Sequence, residues 1–227
     1  MINLPSNPRY AQDMKQPRIH PLLTDIVQTG LLACDGIIFD QRNGCPVCGA
    51  NVSGYDTKKK QFVIMHDRDS QIPVHIFVKR FYCRQCGSVC IADEPFYPDT
   101  RIGSPVVDLC ITLAETMPFG RAAVFLEKLG VGIDRGTVRN YTHRAFPHIP
   151  TTDLFGIRLP LSIVSLSELA TQIGEGRRIP GTEVLAACGF PSAYRAAPDP
   201  FFPSNKGNKG DKQKRDKERQ SEDPEDQ

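Results

Sequence analysis

The chain has 227 residues, 40% of them hydrophobic, no tryptophan and a net charge of +2. That is enough for one sizeable core or two small domains, and too near neutrality for charge alone to argue for nucleic acid. Met1 to His20 is polar and broken by Pro5, Pro8 and Pro17, unlike the apolar run of a secretory signal, and no stretch approaches the roughly 18 apolar residues of a membrane span.

These features predict a cytoplasmic protein without a membrane partner, in which the eight cysteines stay reduced and argue for metal before disulfides. Residues 1–43 read as a polar lead, one short helix and an extended segment, with apolar residues from Leu22 and Leu23 to Ile37, Ile38 and Phe39. Residues 44–92 carry two Cys-x-x-Cys-Gly units, Cys45/Cys48 before Gly49 and Cys83/Cys86 before Gly87. Each unit puts two thiolates on a tight turn, and the glycine permits the positive φ that lets backbone amides approach sulfur. Two such knuckles complete a closed Cys₄ shell for Zn²⁺, with no open position for a catalytic water. The 34 residues between Cys48 and Cys83 are accounted for by two strands, Gln61 to Met65 and Val74 to Tyr82, rich in β-branched and aromatic residues. Asp67 to Gln71 is the predicted hairpin loop. His66 and His75 lie on these strands as packed or solvated side chains, and Cys34, Cys90, Cys110 and Cys188 are expected as small core residues.

Residues 93–149 change to helical periodicity after a Pro-containing linker. Ser104 is the predicted cap of a helix with Pro105 at its first position and a stripe of Val107, Cys110, Ile111, Leu113 and Ala114. A second helix over Gly120–Leu129 buries Val124, Phe125 and Leu129. After the turn Gly130 to Ile133, Asp134 caps a third helix reaching about Arg144. The second and third helices fit a helix-turn-helix, whose second helix enters the major groove. Burying Val138 and Tyr141 leaves Arg135, Thr137, Arg139, Asn140, His143 and Arg144 facing DNA. Arg can read guanine, Asn adenine, and Thr with the helix amides suits phosphate. Lys58, Lys59, Lys60, Lys79 and Arg80 form a local basic patch with Phe62, Phe77, Phe81 and Tyr82 interleaved, a surface for phosphates.

Residues 150–203 read as a short helical segment, with a capping box Ser165 to Glu168 opening one helix and a further helix over Gly181–Cys188. Residues 204–227, with seven Lys/Arg, seven Asp/Glu and no aliphatic residue, read as a disordered tail.

The order Lys79-Arg-Phe-Tyr-Cys-Arg-Gln-Cys-Gly87, linker, helix and Arg121 to Tyr141 resembles the N-terminal region of prokaryotic insertion-sequence transposases. The resemblance covers roughly residues 44–146. It implies a zinc ribbon with Cys45, Cys48, Cys83 and Cys86 as ligands, joined to a helix-turn-helix that reads terminal repeats through the helix from Asp134 to Arg144. Such transposases continue into an RNase-H-like domain with three carboxylates. Here about 55 residues follow before the tail, and Asp153, Glu168, Glu175 and Glu183 lack that pattern. The expectation is therefore an α+β, zinc-stabilised protein that binds double-stranded DNA and is not itself an enzyme. The alternative is a zinc-ribbon adaptor that engages a separate protein or a second copy of itself.

Overall fold

A computed structural model describes residues 19–67, 70–173 and 178–190; the predicted lead before residue 19 and the tail from 204 lie outside them. The described chain is mixed α+β, with six helices and two small sheets. Its centre is a long hairpin, β2 (Ser53–Asp67) and β3 (Ser70–Tyr82). Ser53 pairs with Tyr82 at one end and Asp67 with Ser70 at the other. The strands thus extend well beyond the apolar runs. Polar Gly54 to Lys60 joins the ladder because β3 supplies a continuous partner, and backbone pairing does not require buried side chains.

Two short strands share the far edge of β3: β1 (Ile38–Phe39), parallel to Phe77 and Val78, and β4 (Val89–Ile91), antiparallel to Arg80, Phe81 and Tyr82. Two register shifts interrupt β2, one between Gly54 and Asp56 and one between Gln61 and Val63. Each adds one residue on the β2 side, Tyr55 and Phe62, as β-bulges do.

Helices cover the turn end of the hairpin. Gly103 donates its amide to the Phe62 carbonyl at 2.8 Å, His66 to Gly130 at 2.8 Å, and Gly132 to Ile64 at 2.9 Å. The outer edge of β2 is thereby closed from Phe62 onward. Phe62, Val63, Met65, Val74, Ile76 and Val78 are buried there in one continuous core with α1 (Pro21–Leu32), α2 (Ser104–Thr116), α3 (Phe119–Lys128), α5 (Leu161–Ile173) and α6 (Gly181–Ala187). α2 is the central helix, buried at nine consecutive or near-consecutive positions from Ser104 to Leu113, so its apolar surface is wider than a single stripe.

Several local expectations are corrected. Ser104 is the first helical residue and Gly103 the cap, because close packing of Gly103 on the Phe62 ring leaves no room for a capping side chain; the Ser104 hydroxyl is buried without a partner among the described residues. On α3 the buried set is Ala122, Phe125, Leu126 and Leu129, whereas Val124 is 45% exposed. The i, i+3, i+4, i+7 spacing selects that face, and Val124 falls off it. The Ser165 to Glu168 box caps nothing, since α5 starts at Leu161. Residues 150–160 are not helical but form a hairpin, β5 (Thr151–Leu154) with β6 (Ile157–Pro160). Its two-residue turn puts Phe155 at φ 52° and Gly156 at φ 75°, the left-handed pair that a tight hairpin requires. β6 then packs on α2, and α5 on α1.

Candidate metal centre and basic surfaces

The β2–β3 register brings the two knuckles together. Knuckle one leads into Ser53 and knuckle two follows Tyr82, and these residues are the last pair of the ladder. The knuckles repeat one hydrogen-bond pattern. The Cys45 amide donates to Ala50 (2.8 Å) and Gly49 to Cys45 (2.9 Å); the Cys83 amide donates to Ser88 (2.9 Å) and Gly87 to Cys83 (2.9 Å). Gly49 and Gly87 take φ 76° and 72°, a region an L side chain enters only with strain. Both glycines therefore serve the turn geometry.

The four Sγ atoms lie within 4.8 Å of one another. Cys45 and Cys86 are 3.5 Å apart, as are Cys48 and Cys83. Thiolates 2.3 Å from a tetrahedral ion stand about 3.8 Å apart, so the cluster has the dimensions to hold a metal ion. Cys45 and Cys83 are buried and Cys48 and Cys86 exposed, so one thiol of each knuckle faces inward and one outward.

The surroundings of the two exposed thiols pull them in opposite directions. The Ser88 hydroxyl and amide beside Cys86 bring its thiol down to about 6. At Cys48 the Ala50 amide pulls downward, but desolvation and the Cys83, Cys86 and Cys45 thiols outweigh it and raise the group to about 12. Four crowded sulfurs resist ionising together unless a cation compensates them. His66 and His75 are not members of the cluster, and Cys34, Cys90, Cys110 and Cys188 are buried elsewhere.

At the other end of the hairpin, α4 (Arg135–Thr142) is capped by Asp134, whose carboxylate accepts from the Thr137 amide (2.9 Å) and hydroxyl (2.9 Å). That bonding holds the Asp134 carboxyl below its ordinary range. Val138 and Tyr141 are buried against the neighbouring helices. Arg135, Arg139 and Asn140 are exposed and carry no side-chain partner among the described residues. The helix ends at Thr142 with His143 as its C-cap, short of the expected Arg144, and the remaining candidates, on the helix or just past it, are engaged. Thr137 completes the cap, His143 meets the Phe119 ring at 5.8 Å, and Arg144 donates to the carbonyls of Pro98 (3.1 Å) and Asp99 (3.2 Å).

The basic strand residues divide likewise. Lys60 pairs with Glu94 at 2.6 Å and lies over Phe96. Lys79 lies over the Phe81 ring, and Arg80 is paired with Asp56. Lys58 and Lys59 are exposed and unpaired among the described residues.

One polar group had a sequence signal that periodicity alone did not rank: a single Asp amid the apolar residues of α2. Asp108 is 4% exposed and accepts from Tyr97 Oη (2.6 Å) and Ser162 Oγ (3.0 Å). It ties the linker, α2 and α5 together, and burial pushes its carboxyl up to about 6.

No family model, curated protein or solved structure matches this chain. No helix among the described residues is long and apolar enough to cross a membrane.

Proposed function

We propose that this chain is a zinc-stabilised DNA-binding protein of transposase-like or regulatory type, non-catalytic as the chain stands. The observation that carries the reading is α4, an eight-residue helix with a side-chain N-cap, a buried Val138/Tyr141 edge, and Arg135, Arg139 and Asn140 exposed together. In this reading α3 and α4 are a helix-turn-helix and α4 is the recognition helix. Arg139 and Asn140 contact base edges, while Lys58 and Lys59 neutralise phosphates.

The ion is Zn²⁺, because four thiolates in tetrahedral spacing form a closed site. It fixes the strand ends and supplies no chemistry to a substrate. Of the acids that could have served a strand-transfer reaction, Asp153 lies on β5, Glu168 on α5 and Glu183 on α6, and Glu175 lies outside the described residues. Among the described residues the four cysteines are the one metal-sized group.

Selection of bound duplexes from a random library, with the reduced, zinc-loaded chain, tests the reading. A recovered motif should lose discrimination on Arg139→Ala or Asn140→Ala, by about 5- to 150-fold at the base each one reads. Lys58→Ala should instead weaken all duplexes alike and flatten the salt dependence by about one phosphate. Failure to retain any duplex in a salt-sensitive way sinks the proposal.

A further inference from the structure

The metal end of the hairpin presents a sheet face that nothing covers among the described residues. Cross-strand partners share a face, and the register therefore puts Tyr82 beside Val89 and Arg80 beside Ile91, with Asp56 opposite Arg80. On this parity the face is continuous with Val78 and Ile76, which the core buries. Past Val78 the helices end and the same face meets solvent: Tyr82 is 39%, Val89 50% and Ile91 42% exposed. Tyr55, the extra residue of the first bulge, is 61% exposed and sets its ring 5.5 Å from the Arg80 guanidinium. Lys58 stands on the same face, opposite Val78.

Two features identify an occupant. The first is charge: Lys58, Lys60 and Arg80 share this face, Lys60 is paired with Glu94 and Arg80 with Asp56, and the charge left over, on Lys58, is positive, so the partner is anionic. The second is a pair of exposed tyrosine rings on one sheet face, Tyr55 beside the Arg80 guanidinium, which offers π-faces to unstacked bases rather than a groove for a duplex. An acidic protein would satisfy the charge but leave the rings without a defined role.

We infer that this sheet face is a second nucleic-acid site, for a single strand, in which Tyr55 and Tyr82 stack on bases while Lys58 holds the backbone, the Asp56-bound Arg80 guanidinium braces the Tyr55 ring, and Val89 and Ile91 pack on base or sugar edges. The inference rests on reading the chain as a nucleic-acid-binding protein and adds a strand-selective surface that shares Lys58 with the duplex reading. Single-stranded DNA exposed beside a bound duplex is the substrate class it would take.

The test uses the full, zinc-loaded chain and two labelled probes: an oligothymidine of about 20 nucleotides, and the same length as a duplex with oligoadenosine. Anisotropy at low salt should show oligothymidine binding. Tyr55→Ala and Tyr82→Ala should each weaken it roughly 10- to 100-fold while changing duplex binding less than about twofold. Tyr82→Phe should retain binding, because stacking needs the ring and not the hydroxyl. The chain has no tryptophan and six tyrosines, so quenching of tyrosine emission by unlabelled oligothymidine reads stacking in the unsubstituted protein.

Absence of oligothymidine binding or of quenching overturns the inference and favours a protein-docking face. Equal losses on both probes also overturn it, as does a Phe variant as damaged as the Ala variant at retained zinc content. The two proposals fail separately. Arg139→Ala should leave oligothymidine binding intact; if that variant has no effect on duplex selection, the α4 reading falls while the sheet face stands.

Discussion

At the turn end of the β2–β3 hairpin, Phe62, Val63, Met65, Val74 and Ile76 are buried beneath helices. At the other end Tyr82, Val89 and Ile91 face solvent, and four sulfurs gather within 4.8 Å. The same two strands are thus held by apolar burial at one end and by a metal-sized thiol cluster at the other. The difference shows how a β-structure can be closed where fewer side chains are hidden: beside the few buried residues there, Phe81, Cys90 and Ala92, stands a thiol cluster with the dimensions to hold an ion. Such an ion would add a cross-link in place of area removed from water.

The largest expected effect separates the ends. Chelation, or Cys83→Ser, should release the knuckles and strip hydrogen-exchange protection from Ser53–Lys59 and Arg80–Ile91, since structural zinc contributes about 10–16 kcal/mol in zinc-finger peptides. Amides of α2 and α5 should stay protected. Simultaneous loss of both sets would show that the ends are not independent.

The converse change attacks the helical end. A Cβ at Gly103 would lie 2.1 Å from the Phe62 ring, so Gly103→Ala must displace a fully buried aromatic. Phe62→Ala should cost about 3–5 kcal/mol in denaturant unfolding and leave zinc stoichiometry unchanged. Loss of zinc in this variant would contradict the division of labour.

A third effect belongs to Asp108 and is sharper for its sign. Its carboxyl is raised from 3.8 to about 6 by burial, so the folded state binds a proton more tightly than the unfolded one. The contribution of this group to stability is therefore fully present below about pH 4, where both states are protonated, and is lost as pH rises to about 6. The loss amounts to about 2–3 kcal/mol. Asp108→Asn should remove that slope in pH-dependent unfolding, and an unchanged slope would assign it to other groups. The smallest effect is at the α4 cap: Asp134→Ala should cost about 1 kcal/mol, read as earlier thermal fraying of residues 135–142 with the rest of the chain unaffected.

The thiol cluster was legible from sequence because a Cys-x-x-Cys-Gly unit specifies a local turn, and two of them need only a ladder to meet. Asp134 was legible for the same reason, as an N-cap acts within three residues. The extent of β2 was hidden because Gly54 to Lys60 has no apolar alternation; its strand state is imposed by β3. The β5–β6 turn was hidden because Phe155 occupies a positive-φ position usually held by Asn, Asp or Gly. The engagement of Lys60 and Arg144 was also invisible. Whether a cation is available to a partner depends on acceptors distant in sequence, such as Glu94 for Lys60 and the Pro98 and Asp99 carbonyls for Arg144.

The close approach of α1 to α5 bears on how the polypeptide can be made and cut. At Gly30 an added Cβ would sit 3.0 Å from the Ile163 carbonyl oxygen and 3.0 Å from the Ser167 amide, so the first helix is seated on one translated more than a hundred residues later. During synthesis the knuckles are complete while Leu23, Val27 and Leu31 still await their cover. A fragment trimmed to residues 44–146 would discard both halves of that clasp and expose the core they close.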